Sequence, residues 1–141
     1  MKLTDFIELV DLQEEIRGRI GYLEAWVRVE IESHRQVGGH HYLSVLQKDP
    51  GGEILSRAQA RIWRKDEGII REFQRITGRG LDAGISIVAR VVVDYHPKYS
   101  LALTITGIDP GYTMGEREKQ KRETIRRLEE QELIEQPTAS A

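Results

Sequence analysis

The chain has 141 residues, 31% of them charged, with a formal net charge of −2 and no cysteine. That length fits one domain with short appendages. The missing cysteine excludes disulfides, thiol nucleophiles and thiolate metal sites, and no apolar run reaches the ~20 residues of a membrane-spanning helix. Residues 21–110 hold 12 Lys/Arg against 11 Asp/Glu, so any basic footprint must come from how charges are arranged and not from their sum. Met1 to Asp5 lacks the apolar segment of a signal peptide, and a cytoplasmic location is the default.

Residues 3–17 read as a helix. Thr4 stands as its N-cap, and Phe6, Ile7, Leu9, Val10 and Ile16 form an apolar stripe expected to pack on the domain or on a partner. A first strand, about 22–34, follows. Trp26, Arg28 and Glu30 alternate there with Val27, Val29 and Ile31. His34, Arg35 and Gln36 lead into Gly38-Gly39, a pair suited to a tight reversal. A second strand, about 40–48, carries His40, His41 and Tyr42 and then Leu43, Val45 and Leu46. Asp49-Pro50-Gly51-Gly52 is a turn. A third strand, about 53–63, sets Ala58, Ala60 and Ile62 against Arg57, Gln59, Arg61 and Trp63.

Asp66 is positioned as an N-cap, with Ile69, Ile70, Phe73 and Ile76 on one face of a helix ended by Gly78. A fourth strand follows, in which Ile85, Ile87, Ala89, Val91 and Val93 alternate with Ser86, Val88, Arg90, Val92 and Asp94. His96-Pro97-Lys98 turns the chain into a fifth strand, about 99–109. Beyond Pro110-Gly111, Thr113 to Glu116 reads as a capping box opening a charged helix over about 114–135, with Ile125, Leu128 and Ile134 along a thin seam. Residues 137–141 read as a frayed tail. Three strands, a helix and two strands predict a mainly β, five-stranded Greek-key barrel, the OB-fold, over 21–110. Residues 1–20 and 111–136 then flank the barrel as an N-terminal extension and a connector.

Three histidines on one hairpin raise the question of a metal. Adjacent strand residues point to opposite faces, however, so His40 and His41 do not ligate together, and histidines exposed or bonded to backbone are the expected outcome. No nucleophile elbow, phosphate loop or dinucleotide loop is present. No catalytic residue, metal or cofactor is therefore assigned.

A binding surface fits better. On an OB-fold, the face of strands two and three and the loops joining strands one–two and four–five bind oligonucleotides. Those places hold Arg35, His40, His41 and Tyr42, then Arg57 and Arg61 beside Arg28, then His96, Lys98 and Tyr99. Cations that track phosphates and aromatics that stack on bases are the parts of a single-strand site. The opposing expectation is that Trp26 and Trp63 belong to the core, as large aromatics in strands usually do.

The chain resembles the N-terminal part of the exodeoxyribonuclease VII large subunit. The likeness rests on Trp26-Val27-Arg28-Val29-Glu30-Ile31, Gly39-His40-His41-Tyr42-Leu43, Ala60-Arg61-Ile62-Trp63 and Tyr95-His96-Pro97-Lys98-Tyr99-Ser100-Leu101. It extends over most of residues 20–136. Val29 stands where the family pattern has Gly, Glu32-Ser33 displaces Ser-Asn, and the turn at 96–99 lacks its Gly, which makes this a divergent example.

The resemblance implies a parent enzyme that degrades single-stranded DNA together with a small helical subunit. This segment would be its DNA-binding barrel, and the nuclease domain would lie beyond the connector, so that the chain reads as a fragment. A protein-interaction module, with the flanking helices docking a partner or a second copy, is the alternative, and RNA binding by the same barrel is a third reading.

Overall fold

A computed structural model describes residues 5–98 and 100–135 of the chain. Its elements in order are α1 (Leu9–Ile20), β1 (Glu24–Val37), β2 (His40–Lys48), β3 (Ile54–Ile62), a short 3-10 turn at Arg64–Asp66, α2 (Glu67–Thr77), β4 (Ser86–His96), β5 (Ser100–Asp109) and α3 (Pro110–Glu135). The strands close into a barrel in the order β1-β2-β3-β5-β4. All pairings are antiparallel except β3 with β5, which run parallel through Ala60↔Leu103 and Arg61↔Thr104. This is the expected five-stranded barrel, with a helix between its third and fourth strands.

β1 makes closure feasible. Its first half, Glu24–Glu30, pairs with β4, and its second half, Glu30–Val37, pairs with β2. A register shift between Ile31 and Ser33 separates the halves, and such a bulge bends a strand so that it serves two neighbours. Alternation then fills the interior. Leu43 and Val45, Ala60 and Ile62, and Ile87, Ala89 and Val91 all point inward and are almost fully buried. α2 plugs one end with Ile70, Phe73 and Thr77, spaced by three and four residues. Gly78 closes that helix in the left-handed conformation, its N–H donating to the Gln74 carbonyl.

The β1–β2 turn uses Gly38 (φ 60°) and Gly39 (φ 84°), the positive-φ pair that matches strand twist. Gly39 also lies against Arg64: a Cβ built there would be 2.5 Å from the Arg64 Cδ. The hairpin tip therefore rests on the 3-10 turn.

Three sequence expectations need correction. α1 starts at Leu9 after a Glu8 cap and has no buried residue. Phe6, Ile7, Leu9 and Val10 are each more than half exposed, so the first part of the stripe is open to solvent, while Ile16 is half-buried and the helix packs against β4 as expected; Thr4 lies outside the described residues. Thr113 is not a cap. α3 begins three residues earlier, where the Gly111 N–H donates to Asp109 Oδ1 at 2.9 Å and Pro110 takes the first helical position, which costs no hydrogen bond. Thr113 is buried inside the first turns, its hydroxyl donating to the Ser86 carbonyl at 2.9 Å. Trp26 is no core residue: it is 57% exposed on the outside of β1, its ring edge near Gly107. Ile134 and the 137–141 tail carry no described side chain.

Candidate nucleic-acid interface

The outward faces of β2 and β3 form one wall of a groove of about 410 Å³, lined by Arg35, Tyr42, Gln59, Ala60, Arg61, Trp63 and Ala102. Register explains its content. Arg35 stands opposite Tyr42 across the β1–β2 ladder, and Tyr42 stands opposite Arg61 across β2–β3. Outward positions on three successive strands therefore share one surface. The Arg35 guanidinium lies 5.4 Å from the Tyr42 ring centre and that of Arg61 lies 4.6 Å from the Trp63 ring centre. Both are cation–π distances. Ala60 and Ala102 supply a floor without bulk.

Arg61 is the most constrained of these cations. Its Nη2 donates to Asp94 Oδ2 at 2.7 Å and its Nε to the Thr104 hydroxyl at 3.3 Å. The parallel pairing with β5 brings Thr104 alongside, and β4 brings Asp94. Arg57 lies further along β3 and pairs with Glu32 at 2.9 Å, in an adjoining hollow that shares Gln59 and Ala102 with the groove. Both β3 arginines thus face a carboxylate, which explains how a basic row coexists with a near-neutral chain.

The other residues singled out from the sequence are dispersed. His40 is half-buried beside Trp63, its ring edge-to-face at 5.2 Å, and its Nδ1 accepts the Arg64 N–H at 3.0 Å. It borders the groove without lining it. His41 points the opposite way and is 4% exposed. It bridges His34, at 2.7 Å through Nδ1, and the Glu67 carboxylate through Nε2. The chain of contacts runs from His34 through His41 to Glu67. It ties the hairpin to α2 and presents nothing to a ligand. The His34 imidazole is held below its ordinary pKa by burial first and by His41 next, against opposing contributions from the Leu81 backbone, Asp82 and Glu67.

Arg28 lies at another part of the barrel, hydrogen-bonded to Tyr112 of α3 in a hollow with Glu30, Lys48 and Glu116. Burial, then Glu116, raise the Tyr112 phenol above its usual pKa, and Arg28 opposes them. Lys98 is exposed at the β4–β5 turn, where its N–H donates to His96 Nδ1 at 3.0 Å; Tyr99 lies outside the described residues. No cluster of three or more His, Asp or Glu suited to a metal ion occurs among the described residues.

Sequence reasoning missed the roles of Trp63, Gln59 and Asp94. Strand alternation puts Trp63 on the same face as Arg61, which was a usable signal. Nothing in the sequence pairs Asp94 with Arg61, since the two are 33 residues apart.

No protein-family model matches the chain. Over 122 residues, 79% of the chain, it is 29% identical to the exodeoxyribonuclease 7 large subunit of Deinococcus radiodurans, and it spans 29% of that protein's length. With a closed five-stranded barrel underneath that alignment, the chain is a distant relative of an exodeoxyribonuclease 7 large subunit.

Proposed function

We propose that the barrel is the single-stranded-DNA-binding domain of an exodeoxyribonuclease VII-like large subunit. In this reading it holds the strand in the Arg35–Tyr42–Arg61–Trp63 groove and presents it to a nuclease domain. The barrel is the binding part and not the catalyst, and the small subunit of such an enzyme joins through the parent protein. The observation that carries the reading is the groove itself, where two guanidinium planes lie against two aromatic rings on an open face. Bases stack on aromatic and guanidinium planes alike, and guanidinium groups also meet phosphates. The kinship to an exodeoxyribonuclease large subunit supplies the class of polymer.

Fluorescence anisotropy of a labelled oligodeoxynucleotide, titrated with the chain at two salt concentrations, tests this. Arg35→Glu should weaken binding about tenfold and lower the dependence on log salt by about 0.7, the share of one phosphate on a single strand. Equal binding of duplex and single strand, or an Arg35→Glu variant that binds like the parent chain, would count against the groove. Tighter binding of the matching RNA would move the reading to RNA.

The exposed apolar residues at the start of α1, from Phe6 to Val10, favour a second reading, in which the extension docks another protein. That role is compatible with the groove and is tested by whether Leu9→Ser/Val10→Ser leaves DNA affinity unchanged while abolishing association with a partner.

A further inference from the structure

Arg61 and Trp63 belong to two hollows. One is the groove described above. The other, about 440 Å³, lies on the outer face of β4 and β5 below the end of α1, and both residues line it as well. The two hollows are therefore one continuous surface with the Arg61–Trp63 stack as the ridge between them.

The second hollow has the chemistry of the first. Arg17 at the end of α1 and Lys65 in the 3-10 turn are exposed at its rim, and neither takes part in any ion pair found among the described residues. Tyr22 and Tyr95 supply aromatic rings, and Thr104 and Thr106 supply hydroxyls. Two carboxylates, Asp66 and Asp94, are also present, and Arg61 already neutralises Asp94 at 2.7 Å. Cations at the rim and rings on the walls fit a phosphodiester strand with its bases turned inward.

We propose that a single strand does not end at Trp63. It crosses the Arg61–Trp63 ridge and continues into this second lobe, where Arg17 and Lys65 meet its phosphates and Tyr22 and Tyr95 flank its bases. The proposal rests on the DNA-binding reading of the first groove and extends it. α1 then has a role beyond that of an appendage, because its C-terminal end forms one wall of the path.

Length dependence separates the lobes. A single OB-type barrel covers roughly 4 to 16 nucleotides, so oligothymidylates of about 4 and about 12 nucleotides span the range. The chain should bind the longer oligomer at least tenfold more tightly. In Arg17→Glu/Lys65→Glu the longer oligomer should lose that advantage, and its dependence on log salt should fall by about 1.4, two phosphates at about 0.7 each. The shorter oligomer should change less than twofold. Both positions are exposed, so the variant is expected to keep the circular dichroism spectrum of the parent.

An unchanged 12-mer affinity and salt slope in that variant, with both oligomers weakened by Arg35→Glu, would overturn the second lobe while leaving the first groove standing. Equal loss for both oligomers would overturn it too, since the lobes would then not be separable. Failure of the parent chain to bind either oligomer would remove the underlying reading and this extension with it.

Discussion

Asp94→Asn should move stability and affinity in opposite directions. Asp94 is the carboxylate paired with the groove's Arg61. It accepts from Arg61 at 2.7 Å, and the two side chains are 40% and 17% exposed. Exposed ion pairs contribute about 0–1 kcal/mol, and breaking a fully buried one costs about 3–5 kcal/mol. This pair lies between those limits. Asparagine keeps an oxygen that accepts from Arg61, and Thr104 and the Trp63 face remain in place, so the loss should be about 1–2 kcal/mol.

The binding consequence is a gain. With Asp94 neutralised, Arg61 offers its full charge to a phosphate. Single-strand affinity should rise about three- to tenfold at low salt, and the dependence on log salt should steepen by about 0.7. Urea denaturation reads the first effect and anisotropy at several salt concentrations the second. Weaker binding with an unchanged slope would refute the reasoning: Asp94 would then matter by holding the guanidinium over Trp63, and not by competing with phosphate.

Gly39→Ala should cost about 1–2 kcal/mol in chemical denaturation, because φ is 84° there and the new Cβ meets the Arg64 side chain. Recovery through a simple shift of Arg64 would show up as a cost below about 0.5 kcal/mol. Asp109→Ala should destabilise by about 1 kcal/mol through loss of the α3 cap; a neutral result would return the start of that helix to Thr113. The His34 pKa is lowered on folding, so the unfolded chain binds the extra proton first. Stability should be unaffected above the ordinary histidine value of about 6.5 and should fall as pH drops from there toward the lower folded value. Denaturation midpoints at about pH 7.5 and 5.5 measure this drop. His34→Gln should flatten it, and an equally steep drop in the variant would assign it to other groups.

Much of the barrel was legible along the chain. Period-two alternation in 26–31, 57–63 and 85–93 is a local consequence of one buried face, and it located the strands and named most of the core. Gly38-Gly39 marked the hairpin, and Ile70, Phe73 and Gly78 marked a helix with an apolar face and a stop, because turns and caps are set by nearby residues. The start of α3 was misread because Asp109 and Thr113 are both capping residue types, and only the packing of Thr113 on Ser86 decides between them.

Tertiary structure decided which cations share the groove. Arg28, Arg57 and Arg61 look equivalent in a sequence of alternating residues, yet Arg28 goes to α3, Arg57 to Glu32 and Arg61 to Asp94 and Trp63. Likewise His40 and His41 are neighbours in sequence, but one borders the groove and the other is buried against Glu67. Closure of the barrel makes these assignments. It sets β5 beside β3 in parallel and splits β1 between two partners, which fixes the side chain that each cation meets. Alternation along a strand specifies a face, and only the register across strands specifies a neighbour.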